Sequence, residues 1–435
     1  MTTEELYNAY STCGYRVTTD SRGISGGEIF FALKGENFDG NDYALAALEK
    51  GASLAVVDRA ELPDREGIVK VPDSFRALQE LAVWHRTHVC EGTLPVLGLT
   101  GTNGKTTTKN LIREVLSRKY RVTATEGNLN NDIGVPLSLL KITPDTQIAV
   151  IEMGANHPDD ITKLVQVSRP DCGLITNVGR AHLLGFGSFE GVKKAKGELY
   201  RWLGEHEGSL VFLNEDDADL REMAAKLPCH IYGYGLKYQG AEILPCTPES
   251  PYLRIWLDGE VINTNLVGSY NASNVLAAIA IGDRFGVPRK DAIEAVASFV
   301  PANRRSQLVK SGRNTLIVDA YNANPSSMAA ALDNFSAMLA PHKTVMLGDM
   351  RELGADSLGE HSKVVRRLKD SGFKVYLVGE EFRKALEAEG TAAGWQWFST
   401  SAELAGELKA RPIDGETVLV KGSRGIEMEK ALPEL

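Results

Sequence analysis

The chain has 435 residues, of which 43% are hydrophobic and 24% charged, the ordinary composition of a globular protein with about three domains. Its 48 Lys and Arg residues against 57 Asp and Glu residues leave a net charge of −9, which argues against a nucleic-acid-binding protein. The chain starts without a signal-peptide pattern, and it has no apolar run of the roughly 18–20 residues that cross a bilayer. Five cysteines without a C-x-x-C pair argue against a zinc ribbon or a disulfide framework. Composition thus predicts a cytoplasmic enzyme with no membrane insertion.

Strand and helix patterns divide the chain into three blocks. Residues 1–92 have short apolar runs between Gly-rich turns, which predicts a small mixed α/β N-terminal domain. Residues 93–300 alternate strand and helix patterns, as in a P-loop ATPase-like domain with a parallel sheet covered on both faces. Residues 301–435 repeat this alternation without a phosphate loop, which predicts a Rossmann-like doubly wound C-terminal domain. The predicted fold class is therefore α/β, in three domains.

Three local patterns make further predictions about these elements. His157 and Pro158 are predicted to open a helix, with the proline in the first turn, where its missing N–H costs nothing. Asn324 and Pro325 are predicted to begin another helix, as its N-cap and first residue. The turn-rich stretch 210–267 is predicted to extend the central domain with antiparallel strands.

The strongest local signal is the segment Leu99-Thr-Gly-Thr-Asn-Gly-Lys-Thr-Thr107, between a strand pattern and a helix pattern. Glycines let backbone N–H groups approach phosphate oxygens, and the N-terminus of the following helix favours anions. Lys105 can reach the β- and γ-phosphates of a nucleotide, and the Thr106 hydroxyl can bind Mg²⁺. The loop departs from the general G-x-x-x-x-G-K-[ST] pattern because position 99 is Leu. A Gly-rich turn with a surface lysine is the alternative, but the strand before and the helix after favour phosphate binding.

Nucleotide binding by itself is compatible with a motor, a switch or a ligase. The chain has no N-K-x-D tetrapeptide, which weakens a guanine-specific switch. Open α/β sheets bind ligands at the carboxyl ends of their strands, where Glu152 ends one predicted strand and His182 follows another. A carboxylate there can hold Mg²⁺, although Glu152 taken singly is as compatible with a structural role and His182 taken singly is more typical of one. Lys196, taken with Lys193 and Lys194, is typical of a solvated helix face.

Together these motifs resemble those of the Mur ligases, ATP-dependent amide-forming enzymes of peptidoglycan precursor synthesis, over essentially the whole chain. Several ordered segments are similar to the MurF type of this family. They are Gly127-Asn-Leu-Asn-Asn-Asp-Ile-Gly-Val-Pro136, Glu152-Met-Gly-Ala-Asn-His157, Asn177-Val-Gly-Arg-Ala-His-Leu-Leu-Gly-Phe-Gly-Ser188, Ala195-Lys-Gly-Glu198, Asn271-Ala-Ser-Asn274, Asp319-Ala-Tyr-Asn-Ala-Asn-Pro325 and Leu347-Gly-Asp-Met-Arg-Glu-Leu353. The resemblance implies a UDP-substrate domain, an ATP-binding domain and a ligase domain, in that order.

The resemblance also implies roles for individual residues. The residues expected to bind ATP are Gly101, Thr102, Asn103, Gly104, Lys105, Thr106 and Thr107 at the phosphates, Asn271 and Asn274 at the adenine, and Asp319 and Tyr321 at the ribose. The residues expected to serve two Mg²⁺ ions are Thr106, Glu152, His182 and Lys196, the last being similar to a lysine that the family carries as a carbamate. Arg305 is similar to the family's arginine near the phosphates, with Arg304 as the alternative, and Lys105, Lys196, His182 and Arg305 are the expected catalytic set. Asn130 or Asn131 is expected on the substrate side.

The first block carries a further part of the resemblance. Thr19-Asp-Ser-Arg22 and Gly27-Glu-Ile-Phe-Phe-Ala-Leu-Lys-Gly35 are similar to the segment that holds the uridine diphosphate end of the substrate, which implies this role for Ser21, Arg22 and Lys34. The implied reaction joins D-alanyl-D-alanine to UDP-N-acetylmuramoyl-tripeptide, through an acyl phosphate, in a cytoplasmic monomer. A MurE-type ligase or a folylpoly-γ-glutamate synthetase is the nearest rival, and a nucleotide-dependent binding protein without the chemistry is the rival of another class. Lys421-Gly-Ser-Arg424 resembles the MurF ending, but the resemblance assigns it no role.

Overall fold

The structure, a computed structural model, describes residues 1–246, 251–301 and 306–435. Three units with largely parallel sheets follow one another along the chain, which confirms the predicted α/β class and its three-domain architecture. The exact boundaries near residues 92 and 300 stay predictions. Within the described ranges, no helix has the length and apolar character to cross a membrane.

The N-terminal unit is a small parallel sheet in the order β1-β2-β5-β6. Side chains alternate across β2, so that Ile29 and Phe31 pack towards α3 while Phe30 packs against α2. The strands are β1 (Val17–Thr18), β2 (Ile29–Phe31), β3 (Lys34–Gly35), β4 (Phe38–Asp39), β5 (Leu54–Val57) and β6 (Ile68–Lys70), and the helices are α1 (Thr3–Thr12), α2 (Ala44–Glu49) and α3 (Ser74–His88). The Tyr10 hydroxyl donates a buried hydrogen bond to Leu140 O at 2.5 Å, which ties this unit to the central one.

The central unit has six parallel strands in the order β12-β11-β10-β7-β9-β8, with helices on both faces. Its strands are β7 (Val96–Thr100), β8 (Val122–Ala124), β9 (Ile148–Glu152), β10 (Cys172–Ile175), β11 (Leu210–Asn214) and β12 (His230–Tyr234), followed by β13 (Glu242–Leu244), β14 (Tyr252–Leu257) and β15 (Glu260–Val267). Its helices are α4 (Lys105–Leu116), α5 (Gly134–Leu139), α6 (Asp160–Ser168), α7 (Leu183–Phe186), α8 (Phe189–Lys196), α9 (Glu198–Glu205), α10 (Ala218–Ala224), α11 (Ala272–Arg284) and α12 (Arg289–Ser298).

Two local predictions for this unit need correction. The stretch 210–267 is antiparallel only in β13–β15, because β11 and β12 join the main sheet in parallel. His157 and Pro158 do not open α6, which begins at Asp160 after a left-handed Asp159. The Asp160 carboxylate accepts hydrogen bonds from the N–H groups of Asn156 and His157, and these bonds hold the segment before the helix as a turn.

The C-terminal unit is a six-stranded sheet in the order β16-β17-β21-β18-β19-β20, parallel except for its edge strand β16. The strands are β16 (Gln307–Lys310), β17 (Thr315–Asp319), β18 (Lys343–Gly348), β19 (Lys374–Val378), β20 (Gln396–Phe398) and β21 (Thr417–Lys421), and the helices are α13 (Pro325–Ala337), α14 (Ser357–Lys369), α15 (Glu380–Glu389) and α16 (Ser401–Ala410). Asn324 caps α13 by accepting from Ser327 N at 2.9 Å, with Pro325 as the first helical residue, which confirms that prediction.

Candidate active site

A cavity of about 770 Å³ lies between the central and C-terminal units. One side, here called the central wall, is formed by the phosphate loop 102–107 and by strand-end segments that include Glu152, Asn177 and His182. The other side, the C-terminal wall, comprises Asp319, Tyr321 and Asn322 with the start of α13 and Lys421. The cavity therefore brings together the carboxyl ends of two parallel sheets, where α/β proteins bind ligands.

The phosphate loop is held by the segment that follows β10. Gly101 has φ +144°, and a side chain there would meet the Thr176 hydroxyl at 2.0 Å, so only glycine fits. The backbone N–H groups of Thr102 and Asn103 donate to the carbonyl and the side-chain oxygen of Asn177, both at 3.0 Å. Lys105 Nζ folds back to Gly101 O at 2.7 Å. The loop is thus rigid before any ligand binds, as an anion site at the start of a helix requires.

Glu152 is almost completely buried at the end of β9, with 1% of its surface exposed. Its Oε1 accepts from the Thr106 hydroxyl at 3.2 Å and from Asn130 Nδ2 at 2.8 Å. No donor in the described part of the chain reaches its Oε2, and Lys109 Nζ lies 3.8 Å away as an ion-pair partner. Sequence reasoning missed Lys109, although a lysine one turn after Lys105 on the buried face of a helix was a possible signal.

The two candidate asparagines after β8 have different partners. The Asn130 side chain donates to Glu152, whereas Asn131 Oδ1 accepts from the N–H of Gly134, the first residue of α5, at 2.8 Å. Both line the cavity. Both side chains therefore take part in the fold, and which of the two serves the substrate stays a prediction.

Asn271 and Asn274 lie beside the phosphate loop in the same cavity. Asn274 Nδ2 donates to Asn271 Oδ1 at 2.9 Å, and Thr108 donates to Asn274 Oδ1 at 3.0 Å. Gly104, with φ +78°, approaches Asn274 so closely that a side chain there would lie 2.7 Å from its oxygen. These contacts fix the asparagine pair against the start of α4.

His182 lies on the cavity in a left-handed conformation, with φ +51°. Its Nδ1 contacts the carboxylate of Glu352 from the C-terminal unit. Burial lowers the pKa of His182, and the Glu352 carboxylate opposes this shift. His182 thus belongs to the seam between the two units as well as to the cavity.

Lys196 lies one layer behind the cavity surface rather than on a solvated helix face. Only 2% of it is exposed, Nζ donates to Ala155 O at 3.2 Å, and the Phe186 ring centroid is 5.4 Å away. Burial, followed by the positive charge of Lys105, lowers the pKa of Lys196 well below its ordinary value. Glu198, whose role sequence reasoning missed, accepts from the N–H groups of Asp159 and Thr162 and so holds the neighbouring loop.

Asp319 and Tyr321 belong to the C-terminal wall, as the sequence led us to expect. Asp319 pairs with Lys421, and the Arg424 guanidinium carbon lies 5.8 Å from the Tyr321 ring centroid. Arg304 and Arg305 lie outside the described residues.

The three N-terminal candidates do not line this cavity. Arg22 is highly exposed and paired with Asp20 at 2.8 Å, and Lys34 pairs with Asp58 at 2.9 Å. Ser21 begins a short 3₁₀ turn, and its carbonyl accepts from Lys50 Nζ at 3.0 Å. These three residues lie in the N-terminal unit, and their binding of the uridine diphosphate end of the substrate stays a prediction.

Comparison with known proteins accounts for this architecture. Three families match successive parts of the chain, namely the Mur ligase family catalytic domain over residues 15–85, the Mur ligase middle domain over 99–282 and the Mur ligase glutamate ligase domain over 304–424. The UDP-N-acetylmuramoyl-tripeptide–D-alanyl-D-alanine ligase of Escherichia coli K12 is 35% identical over 440 residues, which cover 96% of this chain and 93% of that protein. The chain belongs to the Mur ligase family, in its MurF type.

Solved structures agree with this assignment. MurF from Acinetobacter baumannii superposes on this Mur ligase with a TM-score of 0.85 and 32% identity, covering 97% of this chain and 93% of that one. MurF from Thermotoga maritima, solved in complex with ADP, gives a TM-score of 0.82 and 26% identity over 96% of each chain. The resemblance inferred from the motifs is therefore confirmed over nearly the full length of this chain and of each of the two solved structures.

Proposed function

We propose that this Mur ligase joins D-alanyl-D-alanine to UDP-N-acetylmuramoyl-tripeptide and cleaves ATP to ADP and phosphate, as a cytoplasmic monomer. The observation that carries the proposal is the cavity itself, which places a rigid phosphate loop, the buried Glu152 and the Asp319 wall around one space in a chain of the MurF type. The name of the Escherichia coli relative gives these two substrates, and ADP is bound in the Thermotoga maritima structure.

The chemistry explains why two walls are needed. A carboxylate is a poor electrophile, so the γ-phosphoryl group first moves to the tripeptide carboxylate and gives an acyl phosphate. The dipeptide amine then attacks the carbonyl carbon, and phosphate leaves. Lys105 neutralises charge at the transferring group, and the N–H groups at the start of α4 orient it. Because water would hydrolyse the acyl phosphate, the C-terminal wall must cover it during the reaction.

The residues around Glu152 fit a magnesium site. Its Oε2 is a buried carboxylate oxygen without a hydrogen bond, and the Thr106 hydroxyl lies beside its Oε1, so hard oxygen donors converge at the phosphate loop. No cluster of three or more His, Cys, Asp and Glu side chains suited to a metal occurs in the described ranges, so ATP phosphates would have to complete the coordination. When bound, Mg²⁺ would neutralise phosphate charge, with Thr106 and Glu152 holding it and His182 near it.

Lys196 fits the carbamate that the family resemblance implies. A carbamate forms on a neutral amine, and the burial of Lys196 and the charge of Lys105 favour the neutral form. The modification would turn a cation near the metal into an oxygen ligand of the kind that Mg²⁺ prefers.

The test is a product assay with purified protein, ATP, Mg²⁺, D-alanyl-D-alanine and UDP-muramoyl tripeptides that carry diaminopimelate or lysine as the third residue. We expect ADP release and the pentapeptide product only when all components are present, with one tripeptide preferred. Omitting one substrate at a time separates the rivals. ADP release and a ligated product with a free amino acid in place of the dipeptide would contradict the proposal, as would nucleotide binding without turnover.

A further inference from the structure

The segment Lys421–Arg424 has no role in the function described so far, yet it begins inside the cavity. Lys421 ends β21, where it lies beside Asp319 of β17 in the parallel ladder. Only 1% of the Lys421 side chain is exposed. Its Nζ donates to Asp319 Oδ2 at 2.5 Å and to Asn322 O at 3.1 Å. The ammonium group is thus enclosed by two acceptors from one loop.

Two further residues of the segment, Ser423 and Arg424, contact the same stretch of chain, residues 319–323. Ser423 Oγ donates to Ala323 O at 3.3 Å, and the Arg424 guanidinium carbon lies 5.8 Å from the Tyr321 ring centroid. Together with the Lys421 contacts, these interactions support the backbone or side chains of four of the five positions from 319 to 323. Residues 319–323 of the C-terminal wall are therefore held in place by contacts with a segment about a hundred residues later in the chain.

Burying an ammonium group is unfavourable unless a partner and hydrogen bonds compensate, so the position of Lys421 constrains Asp319 strongly. One oxygen of the Asp319 carboxylate is taken by Lys421. The other, Oδ1, accepts a long hydrogen bond from Ser306 N at 3.4 Å, which leaves room for a further donor. Ribose hydroxyls are donors of this kind, and the fixed orientation means that they meet a carboxylate that is already aligned.

We propose that Lys421 is a positioning residue of this ligase, which orients the Asp319 carboxylate and the Asn322 carbonyl for the ribose hydroxyls of the adenine nucleotide. The proposal rests on the proposed function, because it requires a nucleotide in the cavity. Lys421 acts through Asp319, since its Nζ donates to the Asp319 carboxylate and to the Asn322 carbonyl.

The experiment measures the Kd of ADP and of 2′,3′-dideoxy-ADP by calorimetry for the wild-type enzyme, K421M, D319N and the double variant. We expect the wild-type enzyme to bind ADP at least about tenfold more tightly than the dideoxy analogue. K421M and D319N should each weaken ADP binding about tenfold and lose the discrimination between the two ligands. The double variant should bind ADP about as K421M does, because both changes remove the same interaction.

Arg86→Met is the matched control for the loss of a buried cation that pairs with a carboxylate. Arg86 is 5% exposed and pairs with Asp171 at 2.9 Å away from the cavity, so this variant should lose stability without losing ribose discrimination. Thermal unfolding of every variant distinguishes a loss of folding from a misplaced Asp319 carboxylate in a folded protein. If K421M does not fold, K421R provides the test, since its altered geometry should reduce the discrimination while its charge is kept.

The outcomes distinguish the two proposals. A wild-type enzyme that binds no ADP contradicts the proposed function itself. A wild-type enzyme that binds ADP and its dideoxy analogue equally, or a folded Lys421 variant that discriminates as the wild type does, overturns the positioning role alone. Additive losses in the double variant would mean that Lys421 contacts the ligand directly and would also overturn it.

Discussion

The two walls of the cavity are built in different ways. In the central wall, the phosphate loop 102–107 is one continuous segment that leads from β7 into the first turn of α4, and its backbone N–H groups donate to Asn177. In the C-terminal wall, Asp319 is held by Lys421, 102 residues later in the chain. The phosphate loop is thus a contiguous segment fixed by backbone hydrogen bonds, whereas Asp319 is oriented by a side chain from another strand of its sheet. From this difference we infer that the central wall binds the phosphates and that the C-terminal wall aligns and covers them.

Polar contacts join the two walls in the described ranges. Asn324 Nδ2 donates to Asn103 Oδ1 at 2.8 Å, and Arg180 N donates to Ser326 Oγ at 3.0 Å. Arg180 also pairs with Glu360 at 3.3 Å. Such contacts contribute little individually because water competes for the same groups. A seam of this kind can open and close at low cost, which a ligase needs if substrates enter and acyl phosphate is then shielded.

The largest effect is expected from Lys105→Ala in the central wall. The change removes the charge that we propose to face the transferring phosphoryl group and leaves the backbone of the loop in place, so kcat/KM should fall by about 10²-fold or more. Steady-state ADP release with thermal unfolding measures both quantities. Lys119→Ala, whose lysine lies just beyond the other end of α4, is the control. A folded Lys105→Ala variant with near wild-type turnover would contradict the phosphate-loop assignment.

Substitutions of Lys196 test whether the reaction requires a carbamate at this position. We expect Lys196→Ala to lose about 10²-fold in activity and to recover partly when a small carboxylate such as acetate fills the gap. Lys196→Arg should be inactive too, because arginine keeps a positive charge and forms no carbamate. Lys194→Ala, on the exposed side of the same helix, should behave as wild type. Substantial activity in Lys196→Arg would identify the lysine as a plain buried cation.

Asn324→Ala tests the seam where the walls meet. The substitution removes the N-cap of α13, at a cost of about 1 kcal/mol in the free energy of unfolding, together with the contact to Asn103. We expect kcat/KM to fall by about threefold to tenfold as well. Thr400→Ala removes the N-cap of α16 in the same unit and should cost similar stability with unchanged activity. Equal activities in the two variants would show that the Asn103 contact has no role in the reaction.

The smallest expected signal is a change in overall dimensions. Since the cavity lies between the two units, we expect an ATP analogue together with the UDP-substrate to draw the C-terminal unit inward and to reduce the radius of gyration. Small-angle scattering of the free and the liganded enzyme measures this change, with binding verified by calorimetry on the same samples. An unchanged radius in saturated enzyme would favour a C-terminal wall that stays in one position.

The sequence by itself determined the features that are local or ordered along the chain. The phosphate loop, the helix start at Asn324-Pro325 and the three-domain α/β class follow from contiguous patterns, because helix caps, glycine conformations and hydrophobic periodicity act within a few residues. The order of the motifs also led to the family, which the relatives confirm. The roles of the individual site residues remain predictions for the experiments above.

Only the tertiary structure decided which distant groups meet. Local sequence predicted a helix at Pro158, but the hydrogen bonds of Asp160 hold that segment as a turn. Lys196 resembles a solvated lysine in sequence and is buried in the fold, and Lys421 finds Asp319 only because β17 and β21 are adjacent strands. The physical reason is that burial and ion pairing depend on packing between segments far apart in the chain, whereas local propensity reports only on neighbours.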